Sequence, residues 1–162
     1  MVYGAISEYG KRYYTDMSEV FSAIGTVQAD YNWLITDFEL NCRVDGLGRQ
    51  DSDYWWLTGG ELTMLLKKYP GLQWIWGVLS GVDKRIPKEE VLRHPLPYAD
   101  GYEGFWKNPL SLQHPLAEIE IVPWDSTLVM VLAREREIVD RFRKNFLPNE
   151  DLLRYNEDLN QK

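Results

Sequence analysis

Apolar and polar residues along this chain recur with two periods, close to two in some stretches and close to 3.6 in others. Val2 to Ile6 reads as an edge strand. Asp16 stands where a helix N-cap belongs. Glu19 three residues later closes a capping box, and Met17, Val20, Phe21 and Ile24 follow at helical spacing up to Gly25. Tyr31 to Leu40 alternates as a strand, with Leu34, Thr36, Phe38 and Leu40 on one face and Trp33, Ile35, Asp37 and Glu39 on the other. Tyr54 to Leu57 is an aromatic strand. Thr58 and Glu61 form a second capping box ahead of Leu62, Leu65, Leu66 and Tyr69, and Pro70-Gly71 ends that helix. Gln73 to Ser80 is apolar on both faces, Trp74, Trp76 and Val78 against Ile75 and Leu79. That pattern predicts a strand buried between layers, with Trp76 in the core.

Pro87 suits the first turn of a short helix through Arg93. His94 to His114 is irregular and rich in Pro and Gly, and its Tyr98, Tyr102, Phe105 and Trp106 read as a wrap over the core. Ala117 to Val122 and Thr127 to Ala133 form a hairpin across Pro123-Trp124-Asp125-Ser126. Arg134 to Phe146 is helical, with Ile138, Val139, Phe142 and Phe146 as its apolar stripe and Glu137–Arg141 and Asp140–Lys144 as i,i+4 pairs. Asn149 caps one more short helix, and residues 156–162 read as a frayed polar tail. The order β-α-β-β-α-β-α-β-β-α predicts one α+β domain over residues 1–155. Its sheet is expected to be mixed, mainly antiparallel, with helices packed on it.

Length changes this picture little: 162 residues suit one domain with an adequate core. Cys42 is the single cysteine, which excludes an internal disulfide and favours a reducing compartment. Residues 1–8 lack a basic segment and a long apolar one, so no signal peptide is read there. No apolar run approaches a membrane span. A cytoplasmic chain with no membrane partner is therefore expected. Charge adds more. Eighteen basic and twenty-five acidic residues leave −7, and residues 1–60 alone hold four basic against nine acidic. That half repels a nucleic-acid backbone and attracts a basic protein. The plainer reading of the same charge is solubility.

Chemistry-bearing motifs are absent. His94 and His114 flank the irregular stretch, but a zinc site needs three or four ligands, so both read as loop histidines and neither metal nor cofactor is expected. Ser80 and Ser126 lie outside any Gly-x-Ser-x-Gly elbow, and Gly59-Gly60 lacks a phosphate-loop pattern. Cys42 beside Arg43 reads as a small strand-end residue. Glu118 and Glu120 share one strand face, as Asp37 and Glu39 do on an earlier strand. Two acids roughly 5–10 Å apart across a cleft would permit glycoside hydrolysis. The same alternation also describes a half-exposed strand.

One stretch stands out. Asp30, Asp37, Glu39, Asp45, Asp51 and Asp53 face only Arg43 and Arg49, and Tyr54, Trp55 and Trp56 follow at once. Acids beside aromatic anchors suit the grip of a basic protein, although a solvated loop joined to a buried aromatic strand has the same composition. In general character the chain resembles bacterial immunity proteins that neutralise toxins. The resemblance is carried by the Asp37 to Trp56 stretch, the Glu118/Glu120 strand, Tyr31-Asn32-Trp33-Leu34-Ile35 and Glu120-Ile121-Val122-Pro123-Trp124-Asp125-Ser126. It implies a non-enzymatic inhibitor of a basic toxin. On that reading Asp37, Glu39, Asp51 and Asp53 steer the partner, Tyr54, Trp55 and Trp56 anchor it, and Glu118 and Glu120 form a second acidic face. The rival readings are a small glycosidase-like hydrolase, using paired acids among Asp37, Glu39, Glu118, Glu120 and Asp125, and a carbohydrate-binding module. An open cleft with two carboxylates would favour the hydrolase, and a row of exposed coplanar tryptophans the sugar-binding module.

Overall fold

The computed structural model describes residues 1–8, 16–44 and 53–162. Its strands are β1 (Tyr3–Ser7), β2 (Tyr31–Leu40), β3 (Tyr54–Thr58), β4 (Trp74–Asp83), β5 (Ala117–Trp124), β6 (Leu128–Ala133) and β7 (Glu150–Asp151). Its helices are α1 (Met17–Ala23), α2 (Gly59–Lys68), α3 (Lys88–Val91), α4 (Arg136–Asn145) and α5 (Leu152–Asn160). The strands form one sheet in the order β3-β2-β4-β5-β6-β1-β7. Every neighbouring pair among the described strands is antiparallel, so the α+β class holds while the parallel component implied by a mixed sheet is missing.

Local signals account for much of this. Thr58 accepts from the Glu61 N–H at 3.1 Å, and the Glu61 side chain accepts from the Thr58 N–H at 3.3 Å, the reciprocal box expected at the start of α2. Asp16 caps α1 by accepting from the Ser18 N–H at 3.0 Å. The β5–β6 turn places Asp125 and Ser126 at φ 48° and 56°, left-handed values that suit a right-twisted hairpin.

The sheet is covered on both faces. On one, α1, α2 and α4 bury Phe21, Leu62 and Phe142 against Trp33, Ile35, Leu79, Ile121 and Val131. The Trp33 indole N–H donates to the Gln28 carbonyl at 2.9 Å, which lets a large polar-tipped ring sit fully inside. On the other face, α3, α5 and the irregular segment 94–116 supply Val91, Leu152, Ala99, Phe105 and Leu110 against Leu34, Val78, Val82, Val122 and Met130. The segment is thus the wrap that its aromatic content implies.

Two strands depart from simple alternation. Thr36 pairs with Val78 and Glu39 with Trp76, so three steps along β2 match two along β4. The extra residue lies beside Asp37, whose φ is 47°. A bulge adds one unpaired residue and reverses the facing of everything beyond it. Phe38 and Leu40 therefore pack with Trp33 and Ile35 on the helical face, not with Leu34 as strict alternation requires. A compensating shift follows at once, Leu40 pairing with Trp74 across two steps of β4. Trp74 and Trp76 consequently part company. Trp74 is fully buried on the α1/α2 face, while Trp76 is only half-buried on the other, which corrects the core assignment made for Trp76.

The C-terminal expectations also need correction. Asn149 does not cap a following helix. Its side-chain amide donates to the Arg143 and Phe146 carbonyls, closing the end of α4, while Asp151 caps α5 through the Arg154 N–H at 3.1 Å. Residues 156–160 are not a frayed tail, because α5 runs to Asn160 and Asn156 is fully buried. Its amide donates to the Phe105 carbonyl at 3.0 Å and approaches Asn108 Oδ1 at 3.3 Å. Asn156→Ala is expected to cost about 1–3 kcal/mol, since it strands a buried carbonyl. A urea midpoint equal to that of the wild type would contradict this placement.

Candidate functional site

At the start of the site lies the β2 bulge. Asp37, turned out by its left-handed backbone, is exposed, and its Oδ2 accepts from the Ala99 N–H at 2.8 Å and the Asp100 N–H at 3.3 Å. One carboxylate thereby fastens the wrapping segment to the sheet end. Thr36, Asp37 and Phe38 from β2, Asp53 at the entry to β3, and Leu96, Pro97 and Tyr98 line a solvent-open cleft of about 380 Å³. A second cleft of about 380 Å³ lies across Phe38, with Glu39, Cys42, Arg43 and Trp55 among its lining. Asp37 and Glu39, read as sharing one strand face, thus line separate clefts, because the bulge lies between them.

The other proposed contact residues divide. Asp53 and Glu39 are exposed. Tyr54 and Trp56 are half-buried beside Leu34 and Val82, with the Lys88 ammonium 5.5 Å from the Tyr54 ring centre. Trp55 is core: it is 3% exposed, lies 4.2 Å from Phe38 between ring centres, and meets Trp74 edge-on. It therefore presents no anchor to a partner, because period-two alternation puts it on the helical face with Leu57. Asp51, with Asp45 and Arg49, lies outside the described residues.

Glu118 and Glu120, read as sharing one strand face, sit in different surroundings, with a β4–β5 register shift at Glu118. Glu118 is half-exposed, 4.0 Å from the Arg134 guanidinium. Glu120 is fully buried beneath the wrap and corrects the reading of it as an exposed acid. It accepts from the Gln113 N–H and the His114 N–H, both at 2.8 Å, and from the Ser80 hydroxyl at 3.3 Å, Ser80 being its register partner on β4. Burial pushes its carboxyl up to about 7, against the pull of those three donors and of Arg134. His94 and His114 do meet, ring centres 5.3 Å apart and nearly perpendicular. The buried His114 ring is committed on both sides, Nε2 to the Val91 carbonyl at 3.0 Å and Nδ1 to the Leu116 N–H at 3.1 Å. That fixes the neutral Nε2–H tautomer, and burial, the largest cause, holds its pKa below the ordinary value. Both ring nitrogens being used by backbone, this cluster locks residues 113–116 onto β4 and β5. No group of three or more His, Cys, Asp or Glu side chains suited to a metal occurs among the described residues.

The half-exposed tryptophans do not form a platform. Trp76 meets Trp124 at 61° and Trp106 meets Trp124 at 85°, edge to face rather than coplanar. No helix among the described residues is long and apolar enough to cross a membrane. Comparison with protein-family models, curated proteins and solved structures found no match.

Sequence reasoning picked out Asp37, Glu39 and Asp53 but missed Thr36, Leu96, Pro97 and Tyr98. The available signal was the length of the irregular stretch, which has to pack somewhere on the sheet. Nothing in a single sequence shows that an acid in β2 receives residues some sixty positions later.

Proposed function

We propose that this chain is a non-enzymatic binding domain that takes a basic protein on the acidic sheet end formed by Asp37, Glu39 and Asp53. The observation that carries the reading is that Asp37, Glu39 and Asp53 are all exposed, Asp37 and Asp53 lining one open cleft with the exposed Tyr98. Carboxylates at the mouth of a low-dielectric cleft focus the field and speed encounter with cations. A neighbouring aromatic ring supplies short-range contact area. Tyr98, Tyr54 and Trp56 take the anchoring role that the buried Trp55 lacks. An immunity-type inhibitor of a basic toxin fits this arrangement, as does any partner with a matching cationic patch.

The test is capture of the partner by the tagged chain at low salt, followed by association kinetics at low and high ionic strength. The association rate is expected to fall at least tenfold across that range. The Asp37→Asn/Glu39→Gln/Asp53→Asn variant should lose most of that salt dependence while its dissociation rate changes little. A chain that captures no protein, or one whose association ignores salt, overturns the reading.

Two carboxylates in one open cleft also favour the hydrolase alternative. Turnover of aryl glycosides or aryl esters that disappears in both Asp37→Asn and Asp53→Asn would replace binding with catalysis as the function of this site.

A further inference from the structure

The floor of the Asp37/Asp53 cleft holds an anomaly. Thr36 lines it, is 1% exposed, and its hydroxyl oxygen has no hydrogen-bond partner among the described residues. A buried hydroxyl without a partner is costly, and native proteins keep few of them. The hydroxyl is sealed from water, so a donor that enters the cleft reaches it once a neighbouring side chain shifts. The two carboxylates above it are acceptors only, so the cleft offers acceptors at floor and rim. Leu96, Pro97 and Tyr98 line it as well.

We propose that this cleft seats a single arginine side chain of the partner, the guanidinium lying between Asp37 and Asp53 with one N–H reaching Thr36 Oγ1. Guanidinium fits better than ammonium for three reasons. It is planar and can lie along Tyr98. It carries five fixed donors for the carboxylates and the hydroxyl together. It is also less strongly hydrated than an ammonium, so entering a partly apolar cleft costs it less. Asp37 is prepared for the role. Its Oδ2 is held by the Ala99 and Asp100 N–H groups, which orients the carboxylate before a ligand arrives. The volume of about 380 Å³ is ample for one arginine side chain.

This assignment rests on the acidic-face reading above, and the experiment separates the two. The probe is acetyl-Gly-Arg-Gly-amide, compared with its citrulline and lysine counterparts, each titrated into the whole chain and followed by amide chemical shifts. Saturable shifts are expected at Thr36, Asp37, Asp53 and Tyr98 to Asp100, at least tenfold weaker for citrulline and several-fold weaker for lysine. Thr36→Val keeps the shape, removes the hydroxyl and should weaken the arginine peptide about tenfold. Asp53→Asn should do the same without touching the bonds that Asp37 makes to the wrap. Equal binding of arginine and citrulline peptides, shifts centred elsewhere, or an unaffected Thr36→Val variant would each overturn the seat. An arginine peptide that fails to bind while partner association stays salt-dependent removes the seat and leaves the acidic face intact. A peptide that binds as described while partner association ignores salt does the reverse.

Discussion

Trp74→Ala is expected to be among the most damaging single substitutions in this chain, costing about 3–5 kcal/mol, the range for truncating a large aromatic ring in a core. Trp74 is fully buried, meets Trp55 edge-on with ring centres 6.4 Å apart, and lies where β4 passes under α1 and α2. Trp76→Ala, two residues away, should cost roughly 1–2 kcal/mol, since that ring is half exposed already and leaves a groove that water can fill. Trp74→Phe provides the control. The Trp74 indole N–H is buried without a partner among the described residues, so removing it relieves a desolvation cost and offsets part of the lost volume. Its loss should stay under about 2 kcal/mol. Urea midpoints for the three variants decide the matter, and a Trp76→Ala loss equal to or above that of Trp74→Ala would place the β4 shift wrongly.

The second large effect is a pH dependence assigned to Glu120. Its folded pKa, about 7, stands above the ordinary value of 4.5, because burial disfavours the charge. A carboxyl raised on folding binds its proton more tightly in the native state. The stability it supplies is present below about pH 4.5 and is lost as pH rises to about 7 and beyond. Moving from 4.5 to about 7 corresponds to roughly 3 kcal/mol. His114 acts with the opposite sign. Its folded pKa is lowered, so its contribution is full above 6.5 and is lost as pH falls through the depressed value. Below pH 6.5 the two act in opposite directions, so the wild-type curve alone does not separate them. The difference between wild type and Glu120→Gln isolates the carboxyl. Relative to wild type, the variant should gain roughly 3 kcal/mol between pH 4.5 and 8 in denaturant titrations. A difference independent of pH would show that the three donors at Glu120 outweigh its burial.

Features encoded within a few residues were legible in the sequence. The Thr58/Glu61 box, the Asp16 cap and the α4 stripe depend on neighbours three or four positions apart, and the structure places each where the pattern does. Features that depend on distant pairing were not. The Asp37 bulge exists only because β2 and β4 must keep register over ten residues each while turning Phe38 and Leu40 toward the helices. Asp tolerates a left-handed backbone better than most residues, but that tolerance alone does not locate a bulge. The Glu118/Glu120 alternation reads as one exposed strand face, but the register shifts at Glu118, and Glu120 is buried. Whether that face is wet or dry is decided by residues 113–116 arriving on top of it. The acidic end of the candidate site was visible for the same reason that its floor was not. Charge can be counted along a chain, whereas an unpartnered Thr36 hydroxyl is a property of the packed sheet.

The sheet order carries a consequence for how the chain is made. β1 precedes every other described strand along the chain, yet its neighbours are β6 and β7, with Gly4 opposite Leu132 and Ile6 opposite Glu150. It therefore waits unpaired until β6 has been made, holding Ala5 and Ile6 for a slot that does not yet exist. β2, β3 and β4 can meanwhile assemble with their helices, β3 and β4 flanking β2 on either side. Closure of the sheet is then a late, long-range event, and in such topologies the rate is set by loop closure rather than by local helix formation. Until that moment the nascent chain carries an open β6 edge, which invites association between neighbouring chains on a polysome.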